Sequence, residues 1–285
     1  APHNVQVSAD GKLILAAGAA PGGAGHAAHG ASGQLALIDP TAAMPVLLAT
    51  IALPGHPAHV VADADSRYAF VTDADANAVV IVDLAARSIS GRIPTGAYPH
   101  GLRMSPDGRE IYVANMRDVS VTVIDVALRK EIARIRTGRM PVQVGFTPDG
   151  RSAFVSLARE NAIAIIDTSR RVVIGRRSVG RGPVQVFSSG DGKTIYVANQ
   201  GREKRPDNRL SLVPVAGAAR PVHIETGAGA HGVSVSDDGS LIAVTNTYAG
   251  TLSVVDAAKA KVIATIPVGR GPNGVTMLRR EPRPR

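Results

Sequence analysis

Residues 99–138 read PHGLRMSPDGREIYVANMRDVSVTVIDVALRKEIARIRTG, and the parts of this stretch recur along the chain. After Pro99 comes a short apolar run holding Leu102 and Met104, then Ser105-Pro106-Asp107-Gly108. Pro fixes φ and Gly tolerates positive φ, so these four residues predict a tight turn. Ile111 to Ala114 is β-prone, Asn115 to Val119 reads as a loop, Ser120 to Asp125 alternates, and Glu131 to Arg136 makes a fourth strand. One unit is therefore four short strands.

The unit repeats at a fixed period. Pro57, Pro99, Pro141 and Pro183 stand 42 residues apart, Ala230 follows after 47, and Pro272 after another 42. Pro2 precedes Pro57 by 55. Four strands in roughly 40 to 45 residues is the pattern of a β-propeller blade. The chain predicts an all-β fold: one β-propeller domain over 1–278, built of four-stranded antiparallel blades, with a basic tail at 279–285. Tyr112-Val113-Ala114-Asn115, Tyr196-Val197-Ala198-Asn199 and the Val-Ile-Asp ending at Asp125 resemble the YVTN family of propeller repeats over almost the whole chain. That resemblance implies the fold and a periplasmic or otherwise exported bacterial protein. It implies little about activity, because the scaffold hosts unrelated ones.

Six full repeats and one further inner strand, Pro272 to Leu278, are present. Propellers commonly close by completing a blade from both chain ends. The expected architecture is thus seven-bladed, with the last blade's other strands lying upstream of Ala1. The alternative is a six-bladed ring with a surplus strand. Two loops depart from the pattern: APGGAGHAAHGAS in blade one is about eleven residues longer than expected, and QGREKRPDN in blade five carries five extra residues.

Composition narrows the chemistry. The 285 residues include no Cys, which excludes disulfides, c-type haem attachment, iron–sulfur clusters and blue-copper sites. No apolar run is long enough to span a bilayer. The formal charge of +9 favours anionic partners, yet with no Trp, five Tyr and four Phe there is little for a bank of base-stacking platforms. Nucleic acid is disfavoured. Arg139, Arg181 and Arg270, in three of the turns that lead into inner strands, would attract an anion instead.

The histidines carry the functional reading. In an antiparallel blade, the turn leading into the inner strand shares a face with the loop between the second and third strands. His3, His100 and His231 directly follow the Pro99-type residue, His59 lies one place further on in its blade, and His56 precedes Pro57. The corresponding places elsewhere are polar too: Asn4, Gln143, Gln185 and Asn273. His26 and His29 stand in the long loop of blade one, so only His223 falls elsewhere. A single surface histidine is ordinarily a solvated residue, but placement at nearly equivalent positions around one axis predicts a cluster. Imidazole, with thioethers such as Met116 and Met140 on the same face, suits copper or zinc.

The expected function is thus a ligand-binding propeller that takes a transition-metal ion, copper or zinc, at His3, His59, His100 and His231, with His26 and His29 as a lid. The placement resembles copper-bearing propellers such as nitrous oxide reductase, but that enzyme's copper domain and its cysteines have no counterpart here. A second reading is a metal-assisted lyase, by resemblance to streptogramin-type lyases, with His100 or His231 as general base and Asp73, Asp75 or Asp118 as carboxylates. A third is a scaffold for polyanions or a protein partner. Binding is preferred to turnover because no nucleophile motif or catalytic carboxylate pair stands out.

Overall fold

The computed structural model describes residues 2–19, 33–42, 44–217 and 219–277. Its strands form six antiparallel sheets of four. Blade one holds β1 (Pro2–Val7), β2 (Ile14–Ala19), β3 (Gly33–Asp39) and β4 (Val46–Leu53); blade two holds β5 (Pro57–Ala62), β6 (Tyr68–Asp73), β7 (Ala78–Asp83) and β8 (Ser88–Pro94). Blade three runs through β9 (Pro99–Met104), β10 (Glu110–Asn115), β11 (Ser120–Asp125) and β12 (Lys130–Arg136), and blade four through β13 (Pro141–Phe146), β14 (Ser152–Leu157), β15 (Ala162–Asp167) and β16 (Val172–Ser178). Blade five is β17 (Pro183–Ser188), β18 (Thr194–Arg202), β19 (Arg205–Pro214) and β20 (Val222–Glu225); blade six is β21 (Ala230–Val235), β22 (Leu241–Asn246), β23 (Thr251–Asp256) and β24 (Lys261–Pro267). Among the described residues no helix is long and apolar enough to cross a membrane.

Local chemistry explains the repeat. The Asp of each Ser-x-Asp-Gly turn is held by a hydroxyl two residues earlier, as Ser105 donates to Asp107 at 2.6 Å, and it accepts the Arg109 N–H at 3.1 Å. The Asp that ends the third strand caps the next turn: Asp125 accepts from Leu128 N at 2.7 Å and Asp256 from Lys259 N at 2.9 Å. Between blades the apolar faces share cores. Tyr112, Val123 and Ile135 of blade three pack with Val144, Val155 and Leu157 of blade four, while Phe70 and Ile81 of blade two pack with Leu102 and Ile111 of blade three. Phe70, Phe154 and Tyr112 are fully buried, each contributing about 2–3 kcal/mol of apolar burial.

The seven-bladed expectation is corrected: among the described residues there are six sheets. Consecutive inner strands pack side by side from β1 round to β21. Between β21 and β1 lies Pro272–Met277, which joins no ladder. A strand forms only where backbone donors and acceptors pair in a ladder, and this segment pairs with neither β1 nor β21 in that way. Its backbone is anchored by side chains instead: Thr247 Oγ1 donates to Pro272 O at 2.8 Å and Thr245 Oγ1 to Asn273 O at 2.7 Å. Gly274 sits against Asn4 and Val5, and Gly232 against Asn273, at spacings where a Cβ would crowd the neighbour. The seventh copy of the motif therefore serves as a wedge between blades six and one. Leu278 and the tail lie outside the described residues.

Candidate functional site

Each inner strand opens with an irregularity. In five of the six blades two residues of the inner strand face a single residue of the second strand: Pro57 pairs with Asp73 and Val60 with Val71, while Ala58 and His59 together face Thr72. The same two-against-one bulge occurs in β9, β13, β17 and β21, and β1 has a one-residue irregularity at His3. A bulge re-aims side chains. Here it lets a histidine one place after the proline (His100) and one two places after it (His59) reach the same axis.

The bulge N–H groups are satisfied by hydroxyls opposite. Thr72 Oγ1 accepts from His59 N at 3.0 Å and donates to His100 O in the next blade at 2.7 Å. Ser156 does the same for Gln143 N (3.1 Å) and Val184 O (2.6 Å). In the intervening blades an imidazole makes the link to the next blade: His3 Nδ1 lies 3.1 Å from Ala58 O, and His100 Nδ1 lies 3.1 Å from Val142 O. A carbonyl only accepts, so both rings donate from Nδ1, which in the neutral ring leaves the lone pair on Nε2.

The four predicted histidines meet. The ring of His3 is 5.3 Å from His59, 5.0 Å from His100 and 6.5 Å from His231, centroid to centroid, and His59 is 4.9 Å from His100. One ring nitrogen from each of His3, His59 and His100 lies within 4.8 Å of the others. His59 is 1% exposed, and its Nε2 has no hydrogen-bond partner among the described residues. Burial, reinforced by His100, His3, His231 and Arg103, pushes its pKa well below the ordinary histidine value, so it is neutral. Its Nδ1 is 3.3 Å from Gln143 Nε2, which also contacts Gln185 Oε1 at 3.3 Å. Gln143 reaches this far because Gly101 leaves the space empty; a Cβ there would collide with Gln143 Oε1. In this arrangement the His59 proton is on Nε2. The other tautomer, with the lone pair on Nε2, requires the Gln143 amide to turn over and give up the hydrogen bond its Oε1 accepts from Val144 N at 2.9 Å.

Above this cluster opens a cavity of about 980 Å³ whose floor includes His3, His100, His231 and Asn273. Its walls carry Arg139, Arg159, Arg181, Arg202 and Arg205, with no Asp or Glu among the described residues. Tyr98, Met116 and Met140 supply apolar surface. The blade-five insertion builds part of the wall by lengthening β18 and β19 into an arm; buried Asp207 braces it, taking Arg181 N at 2.8 Å and pairing with Arg209 at 2.6 Å. Beneath the histidines, Arg103 lies over the Phe187 ring at 5.3 Å. Burial lowers its pKa to about 10, and no carboxylate pairs with it among the described residues.

Other predicted residues lie apart. Arg270 is exposed and is not in the cavity wall, and His223 is on β20, bonded to Ser211 Oγ at 2.9 Å. His26 and His29 lie outside the described residues. Asp73 takes the N–H groups of His56, Asp75 and Ala76; Asp118 takes Ser120 Oγ and faces Arg134 at 3.5 Å; Asp75 lines a separate hollow beside Arg117. None of the three carboxylates lines the histidine cavity. Sequence reasoning missed Thr72, Arg159 and Arg103; the bulge opposite a Thr or Ser at the same place in strand two was the available signal for the first.

The sequence profile of the YNCE-like beta-propeller family matches residues 41–227 and 221–283. No curated protein matches the chain in sequence. Among solved structures, a chain of Kuenenia stuttgartiensis hydrazine synthase is similar with a TM-score of 0.85 at 18% identity, over 97% of this chain and 89% of that one. A functionally unknown protein from Desulfotomaculum acetoxidans DSM 771 has a TM-score of 0.78 at 16% identity, over 96% and 87%. The Myceliophteria thermophila Cps50 (Swd1) β-propeller domain gives 0.75 at 13% identity, over 96% and 89%. At these identities the likeness concerns the fold.

Proposed function

We propose a function for this chain, which belongs to the YNCE-like β-propeller family, from its site rather than its fold: it binds a transition-metal ion, copper or zinc, at His3, His59 and His100, with His231 beside them. The observation that carries this reading is the orientation of His3 and His100. Each gives its Nδ1–H to a backbone carbonyl of the next blade, the arrangement that fixes tautomer and ring angle in metal-ligating histidines. One ring nitrogen of each then lies within 4.8 Å of one on the buried, neutral His59. Neutral imidazoles are the ligands that copper and zinc favour, and the uncharged His59 needs only to shift its proton from Nε2 to Nδ1 to offer a lone pair.

The ion would sit on a cavity floor with one side open, the geometry of a site that takes a further ligand rather than a closed structural one. Metal analysis of untagged protein, then zinc and copper(I) titration, tests the reading. Stoichiometric metal that is lost in a His3→Ala, His100→Ala double variant and kept in His223→Ala is the expected result. Equal binding by all three proteins would assign the metal elsewhere.

A further inference from the structure

We infer that the arginine-lined funnel binds a small organic oxyanion, a carboxylate or phosphate monoester with an apolar body, its charged head between the guanidinium groups and the ion on the histidines. This deepens the metal reading and rests on it for the head group's second contact.

Charge comes first. Three neutral imidazoles do nothing to offset a divalent ion, no carboxylate among the described residues lines the cavity, and Arg103 adds a further positive charge below the floor. A metal there leaves the site strongly positive, and an anion from solution is what neutralises it. The wall is built for one. Arg139, Arg159, Arg202 and Arg205 make no ion pair among the described residues, and Arg181 is held by Pro206 O at 2.7 Å and, through its backbone, by Asp207. Guanidinium groups match carboxylate and phosphate in planar, two-pronged contacts.

Size and apolar surface set the class. At about 980 Å³ the cavity is at the upper end for small-molecule sites. A bare inorganic anion would leave the partly exposed Met116 and Met140 facing water, so the ligand carries an apolar body. Backbone conformation supports a role for two of the wall residues. Gly182, Gly229 and Gly271 occupy left-handed φ (+54, +76 and +64°) directly before the inner strand or its counterpart in the wedge. Tyr98 and Met140 hold φ of +58 and +57° at the equivalent place, where a non-glycine residue is strained. Both side chains line the funnel.

The test is calorimetric titration of the full chain with phenylphosphate, benzoate and phenol, each with and without one equivalent of zinc. Phenylphosphate or benzoate binding at one per chain, phenol failing, and zinc tightening the anion by about tenfold or more is the expected pattern. An Arg139→Gln, Arg205→Gln double variant should weaken the anion by at least about tenfold and keep its zinc. Zinc binding with no anion binding, phenol binding as well as phenylphosphate, or an unaffected arginine variant each overturns the inference. So does uptake of an oligothymidylate with no uptake of phenylphosphate. If zinc fails to bind but arginine-dependent phenylphosphate binding persists, the metal reading falls and the anion site stands.

Discussion

Nδ1 of His100 lies 3.1 Å from the carbonyl oxygen of Val142, one blade further round the ring. The same imidazole therefore stitches two blades together and lines the cavity at the channel mouth. Structure and the proposed metal binding are separable at this residue, because the stitch is one hydrogen bond and the proposed ion would keep other ligands. His100→Ala should cost about 1 kcal/mol in urea unfolding while zinc affinity falls on the order of 100-fold. A loss of stability with unchanged zinc affinity would make His100 a stitch alone.

The buried His59 makes stability depend on pH. Burial favours the neutral ring when folded, so the unfolded chain binds the extra proton more readily. The contribution is complete above the unfolded pKa of about 6.5 and is lost as pH falls through it toward the lower folded value. Without added metal, the wild type should lose stability between about pH 7 and 5 with a slope of up to ~1.4 kcal/mol per pH unit from this residue. His59→Gln, which installs the residue found at the equivalent position in blades four and five (Gln143 and Gln185), should flatten that slope. Identical urea midpoints against pH for the two proteins would refute it.

Gly180 closes blade four against Asn199 of blade five. A Cβ on Gly180 would stand 2.5 Å from the Asn199 carboxamide carbon, and Asn199 cannot swing aside because its Nδ2 is tied to Ser211 Oγ and Arg209 O, both at 2.8 Å. Gly180→Ala is expected to destabilise by about 1–3 kcal/mol. The control is Gly190, an exposed residue where an added methyl would meet no atom within 4 Å. Gly190→Ala should change the midpoint little.

Ala260 pays a conformational cost that serves no contact at the funnel. It holds φ of +49° in the turn capped by Asp256. Ala260→Gly should stabilise the protein by roughly 0.5–1 kcal/mol, the left-handed penalty less the extra entropy of glycine. A lower thermal midpoint in the variant would show that the methyl packs more than it strains.

Much of this molecule was legible in one dimension. A turn of Ser, Asp and Gly fixes its own hydrogen bonds within five residues, as Ser105, Asp107 and Arg109 do. Strand alternation and the 42-residue period then dictate four-stranded units in a ring, because each blade can bury its faces only against its neighbours. Histidine positions relative to Pro99 and its counterparts placed four imidazoles at one mouth. The tertiary structure alone decided the rest, since the contacts involved join residues that no local pattern relates. Whether Pro272–Met277 becomes a blade or a wedge depends on what stands beside it, and Thr245 and Thr247 hold it without a ladder. That His59 reaches His3 and His100 from a different register depends on the bulge, and that Gln143 reaches His59 depends on the missing side chain of Gly101, 42 residues away. Hydrogen bonds and close approaches of this kind are set when the ring closes, and sequence spacing carries no record of them.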